Sequence, residues 1–351
     1  MKDSLVKEYR LLLKEFVKIC QGLVRYGKSY MAVILCHELS RFLYPVEPYL
    51  SFRHSRPVPF MRNKIRQLLN LAKSIETAVS GYPAATFLHG TENGLLEKRT
   101  SNLYSQLWQG FNQKNLWDDS LKLLKRKIPQ NVIWQDVKNK RVLDMGCGSG
   151  RYSIALARVG AREVTAVDWQ RKSFFQSEKL SRKWRLRIRF REANFLNLPF
   201  KRNSFDFVFC NGVLHHSRSI EKGLKELKRV LKPDGKAFLY LYGAGGIFWE
   251  TRKALRPIFK KIPLHYTQKV LQLMGVPPKR FIFCDTWYVP REVHTSRKKV
   301  EGLLRKLRFS FTKVVSRDCF DLNKTFLTGI KAAHQMWGDG ENRYLLQKDR
   351  K

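Results

Sequence analysis

One turn constrains this chain more than any other feature. The apolar run Arg141-Val142-Leu143-Asp144-Met145 reads as a short strand, and Tyr152 to Val159 reads as a helix. Between them stand Gly146-Cys147-Gly148-Ser149-Gly150. Glycines at such a junction let the backbone turn sharply and let another group approach the main chain closely. The free N–H groups of the following helix then point at whatever sits over the loop. Two phosphate-binding turns fail here. A P-loop needs Lys-Ser/Thr after its last glycine, and Arg151-Tyr152 follow instead. The dinucleotide fingerprint needs a glycine at the sixth position from Gly146, which is Arg151. What remains is D-x-G-x-G-x-G, with Asp168 closing the next strand (Val164 to Asp168) about 20 residues on, the place of a carboxylate that binds ribose hydroxyls.

The surrounding pattern extends this unit. A helix is predicted over 171–183. Strands are predicted at Leu186 to Phe190, at Phe205 to Cys210 and at Lys236 to Tyr242, with a helix over 219–231. Strands that alternate with helices argue for an α/β fold, a mostly parallel sheet covered on both faces. Upstream, apolar spacings of three and four predict helices at 4–24, 29–43, 60–80, 97–109 and 117–127, an all-helical N-terminal extension over 1–130. Downstream, 247–273 and 296–307 read as helical, Phe311 to Ser316 and Asn342 to Gln347 as strands. The last strand is expected to run antiparallel beside the one at 311–316.

Six pieces of 141–242 resemble the class I S-adenosylmethionine-dependent methyltransferases, specifically the type 11 group that includes ubiquinone and menaquinone methyltransferases. They are Leu143 to Gly150, Val167-Asp168, Asn197-Leu198-Pro199-Phe200, Ser204-Phe205-Asp206-Phe207-Val208, Val213-Leu214-His215-His216, and Arg229 to Gly235. The resemblance implies a Rossmann-like sheet of about seven strands in a domain over 131–351, with a cofactor half at 141–242 and an insert at 243–295 covering the acceptor. It implies S-adenosyl-L-methionine as cofactor. Asp144 would meet the cofactor's amino group, Gly146, Cys147, Gly148 and Gly150 would line its path, and Asp168 would hold the ribose. Asn194 stands where the family often has Asp and would contact the adenine amine, with Phe195 flanking the ring and Asn211 bordering the methyl donor. For Asn194 and Asn211 loop capping is the alternative.

His215 and His216 follow the fourth strand, at the carboxyl edge where ligands bind in open α/β sheets. One of them is a candidate general base, with His294 a second candidate in the C-terminal part; packing or capping is the alternative. No cysteine spacing supports a metal site, and the six thiols suggest a reducing, cytoplasmic setting.

The formal net charge of +39 is spread along the chain, not gathered in a tail. It biases the partner list toward anionic molecules or surfaces. The acceptor is expected to be a small, lipid-like or sugar molecule. RNA is the rival acceptor, and a non-catalytic binding or scaffold protein is the rival of another class. No membrane span is predicted, but the basic amphipathic helix at 4–24 admits peripheral contact with a membrane surface. Arg185, Arg187, Arg189 and Arg191 alternate with apolar residues on the third strand. Blocking of an exposed sheet edge is the favoured reading of this row, and a polyanion patch is its rival.

Overall fold

The computed structural model describes residues 2–43, 57–79, 96–108, 115–277, 281, 283–314 and 334–348. The sheet contains β1 (Arg141–Met145), β2 (Glu163–Asp168), β3 (Ile188–Glu192), β4 (Phe205–Asn211), β5 (Leu231–Tyr242), β6 (Phe309–Lys313) and β7 (Glu341–Lys348). Their order is β3-β2-β1-β4-β5-β7-β6. The first five are parallel, with Val142 opposite Val164 on one side and Phe207 on the other. β7 runs antiparallel beside β6, as expected of the terminal strand, and also antiparallel to β5, so it lies between the two.

The reason lies in the side chains. β1 is buried from Val142 to Met145, as a central strand covered on both faces must be. On one face Leu143, Val208, Leu239 and Leu346 pack with Leu224 and Leu227 of the helix Ile220–Val230. That helix starts at Ser219, whose hydroxyl accepts from Lys222 N at 3.1 Å. On the other face Ile154 and Leu180 form one cluster and Phe174 and Phe190 another, with Ile188 packed against both. β3 shows the alternation directly: Ile188 and Phe190 turn inward, Arg189 and Arg191 outward.

Contacts divide the chain into two compact units. One holds 93–243, 289–321 and 341–351, including the whole sheet. The other holds 1–92, 244–288 and 322–340. The expected boundary at 130 therefore falls within the sheet-bearing unit, and most of the expected insert groups with the N-terminal helices. In that second unit the helix Lys2–Arg25 packs on Pro57–Val79 and Gly246–Phe259. Tyr9, Phe16, Cys20 and Leu23 are fully buried, and Tyr9 Oη lies 2.8 Å from Thr251 Oγ1. The apolar face that admitted a membrane-surface reading is thus taken up by protein. No described helix is long and apolar enough to cross a membrane.

Two local expectations change. The helical run predicted over 247–273 is two helices, Gly246–Phe259 and Leu264–Leu273, the second beginning after Pro263. The strand predicted at 311–316 begins two residues earlier, and its last two predicted residues lie outside those described.

Candidate functional site

The first two residues of the glycine loop share one acceptor. Gly146 N and Cys147 N both donate to Val167 O, at 2.9 and 2.8 Å. Gly146, Gly148 and Gly150 have φ of 76°, 54° and 75°, a region that favours glycine. Each also faces a protein atom where a side chain would stand. A Cβ at Gly146 would lie 2.5 Å from both Val213 methyl groups. At Gly150 it would lie 2.7 Å from Ser177 Cβ and 2.8 Å from the Phe190 ring. At Gly148 it would lie 2.8 and 2.9 Å from two Trp108 ring carbons and closer still to a third.

Two carboxylates flank the loop. Asp168 accepts from Gly148 N at 2.9 Å and from Trp169 N at 2.8 Å, so it fixes the loop's central glycine. Asp144 is buried and accepts from Ser153 Oγ at 2.6 Å. Burial pushes its carboxyl up to about 7; the Ser153 hydrogen bond opposes this, and the negative Asp168 adds to it. Cys147 is buried too, and burial, with Asp168 and Asp144 nearby, holds its thiol well above the ordinary range. That removes it as a nucleophile.

The loop region also holds buried polar atoms that find no hydrogen-bond partner among the described residues: Trp108 Nε1, Ser149 Oγ, Trp169 Nε1 and Asn211 Oδ1. Buried polar groups are ordinarily satisfied, so such a set marks a place where a polar ligand belongs. It offers N–H donors, a hydroxyl and an amide acceptor. Together with two carboxylates this set fits an amino-acid-bearing nucleoside. Asn194 Oδ1 accepts from Leu196 N at 2.8 Å, so this side chain caps its own loop. Phe195 is buried, with its ring edge-on to Trp169 at 6.5 Å.

The three candidate histidines meet around one residue, Tyr242. His215 stacks on the Tyr242 ring at 3.6 Å, and its Nδ1 accepts from Tyr242 N at 3.2 Å. His216 lies edge-on to the same ring at 5.6 Å, and His294 at 6.2 Å. His294 Nε2 is held 2.5 Å from Glu292 Oε1. His216 Nδ1 lies 2.9 Å from the Arg291 carbonyl oxygen. A carbonyl only accepts, so Nδ1 carries the proton, and in the neutral ring Nε2 is the basic nitrogen. Nε2 faces Tyr104 Oη at 3.0 Å.

Tyr104, Trp108, Tyr242 and the Arg291 carbonyl were not singled out from sequence. Tyr104 lies on the helix Leu96–Leu107, and Trp108 follows one turn later. Their rings stack at 5.1 Å, which joins the histidine cluster to the glycine loop.

Residues 143–239 match the family model described as "Methyltransferase domain". The tRNA U34 carboxymethyltransferase of Campylobacter hominis is 32% identical over 106 residues, 30% of this chain and 37% of that protein. The demethylmenaquinone methyltransferase of Staphylococcus haemolyticus is 27% identical over 190 residues, 53% of this chain and 74% of that protein. The chain thus spans only about a third of the length of the first of these relatives. A SAM-dependent methyltransferase structure from Aquifex aeolicus superposes with a TM-score of 0.41 and 19% identity, covering 70% of this chain and 97% of that one. The family match thus covers residues 143–239, which run from β1 to β5 of the sheet.

Proposed function

We propose that this protein is an S-adenosylmethionine-dependent methyltransferase acting on a small, lipid-like acceptor of the quinol type. The observation that carries the reading is the unsatisfied polar set around the glycine loop. Asp144 and Asn211 Oδ1 would take the ammonium group of the cofactor, and Trp108 Nε1 and Ser149 Oγ its carboxylate. Asp168 would hold the ribose hydroxyls. When bound, the cofactor supplies a methyl group already activated on a sulfonium, so the protein's task is positioning and proton removal.

His216 is the base this geometry favours among the three histidines. His215 already uses Nδ1 on a backbone N–H, and His294 is paired with Glu292. His216 is only 5% exposed, whereas Tyr104 is half-buried and in front of it. A hydroxyl acceptor would therefore give its proton to Tyr104 Oη as Tyr104 passes its own to His216 Nε2. The resulting imidazolium stays hydrogen-bonded through Nδ1 to the Arg291 carbonyl. The cluster of Tyr104, Trp108 and Tyr242 supports an aromatic acceptor, as does the menaquinone relative.

The test has two arms. Calorimetry with S-adenosylmethionine and S-adenosylhomocysteine is expected to give one site per chain. No binding would favour a scaffold. Incubation with labelled methyl donor and fractionated cell extract is expected to place label in the lipid-extractable fraction. Label in RNA alone would replace this acceptor with the rival one.

A further inference from the structure

We propose that the exposed face of the β3 edge is a docking surface for the phosphates of single-stranded RNA. β3 ends the sheet order and pairs with β2. Arg185, Arg187, Arg189 and Arg191 are all exposed there, while Leu186, Ile188 and Phe190 turn inward. Arg187, Arg189 and Arg191 repeat at roughly 6.6 Å along an extended strand. That spacing is comparable to the distance between successive phosphates of an extended nucleic-acid strand. Arg185 stands just before them in a left-handed turn, at φ 52°.

The structure leaves most of this charge unspent. Arg189 is 3.4 Å from Glu163, and Arg191 lies over the Phe200 ring at 5.7 Å. Among the described residues, the guanidinium groups of Arg185 and Arg187 have no acidic partner.

The helix Arg171–Lys183 flanks the same edge from the other side of the sheet, with Phe174 stacked on Phe190 at 5.2 Å. Its outer face carries Lys172, Phe175, Lys179 and Arg182 at spacings of three and four. Phe175 is 61% exposed. The arginine row by itself matches the way single strands are held through their phosphates, and the helix adds positive charge at the same edge. Residues 171–192 contain nine Lys and Arg against Glu178 and Glu192, and Glu178 is itself bound by Arg171 and Arg182. A membrane surface would call for an apolar face, and this edge exposes one phenylalanine. The docked strand would lie one residue layer from the cofactor loop, because the inward ring of Phe190 closes on Gly150.

The experiment is fluorescence anisotropy of the full chain with a labelled mixed-sequence 20-nucleotide single-stranded RNA, titrated at several KCl concentrations. Wild type is expected to bind with log K falling linearly in log salt. Replacing Arg185, Arg187, Arg189 and Arg191 together by Ser is expected to flatten that slope by about 3, at ≈ 0.7 per phosphate. A control variant, with Lys7, Lys14, Lys18 and Arg25 replaced by Ser, removes equal charge from the exposed face of the first helix and is expected to keep the slope. Equal loss in both variants, or an unchanged slope in the first, would overturn the proposal. So would binding of phosphatidylserine vesicles through the same arginines with no competition from RNA. If the fourfold variant does not fold, single Arg187→Ser and Arg191→Ser variants are expected to lower the slope by about 0.7 each. S-adenosylhomocysteine binding measured alongside keeps this outcome separate from the methyltransferase reading, since the arginines point away from the loop.

Discussion

Gly148→Ala tests the contact between the glycine loop and the aromatic pair. Two costs add. Residue 148 has φ 54°, and a residue with a Cβ pays roughly 1–2 kcal/mol in that region. The new methyl group would also meet the Trp108 ring, with two ring carbons at 2.8 and 2.9 Å and a third nearer. Overpacking of that kind costs about 1–3 kcal/mol. The expected total is about 2–5 kcal/mol, read as a lower urea midpoint at unchanged m. The two costs separate in a double-mutant cycle. In a Trp108→Ala background the ring is gone, so Gly148→Ala is expected to cost only the backbone share. The coupling energy is then about 1–3 kcal/mol. Gly146→Ala gives a parallel cycle with Val213→Ala, because both Val213 methyl groups lie 2.5 Å from that Cβ. Equal cost of Gly148→Ala in both backgrounds would show that the Trp108 ring does not cover the loop.

Other outcomes follow from the same geometry. Asp168→Ala leaves the N–H groups of Gly148 and Trp169 without their acceptor, at about 1–3 kcal/mol each if buried, and is expected to weaken S-adenosylhomocysteine binding in calorimetry. Undiminished affinity would remove Asp168 from the ribose role. Asp144 is raised to about 7 in the fold, above its unfolded value near 3.9. Its contribution to stability is therefore present below pH 4 and lost as pH rises through 7, of order 4 kcal/mol. Asp144→Asn is expected to flatten stability between about pH 4 and 7 in urea melts, and a slope equal to wild type would contradict the burial argument. Tyr104→Phe removes the hydroxyl on His216 Nε2 and is expected to cut turnover by about 10²-fold, with cofactor affinity unchanged. A rate equal to wild type would place Tyr104 outside the proton path.

What could be read in advance and what could not divide along one physical line. The strands β1 to β5 and their helices were legible because each is a local pattern: an apolar run, a glycine or proline stop, a change of period. The break at Pro263 was not, because proline alone does not decide it. Pro257 sits inside the helix Gly246–Phe259, while Pro263 precedes the next one. The histidine pair was legible as polar residues at the sheet's carboxyl edge. Which nitrogen is basic was not, since that depends on a backbone carbonyl 75 residues away. Tyr104 lies 112 residues from His216, and an aromatic pair one turn apart on a helix reads as packing.

The glycines show why the site was only half visible. From sequence alone, an empty Cβ position in a D-x-G-x-G-x-G loop is credited to a ligand. In the fold all three positions are closed by protein: Val213 over Gly146, Trp108 over Gly148, Ser177 and Phe190 over Gly150. The motif therefore does two jobs. It permits the left-handed turn whose N–H groups are tied to Val167 and Asp168, and it admits the side chains that close over the loop. Those walls are also where the chain's own features enter. Trp108 leads to Tyr104 and His216, and Phe190 leads to the arginine-bearing edge. A substitution at Gly148 should therefore disturb the proton path, and one at Gly150 the β3 edge, although both sit in the same five-residue loop. That separation distinguishes a loop that merely cradles a ligand from one that also holds its surroundings in place.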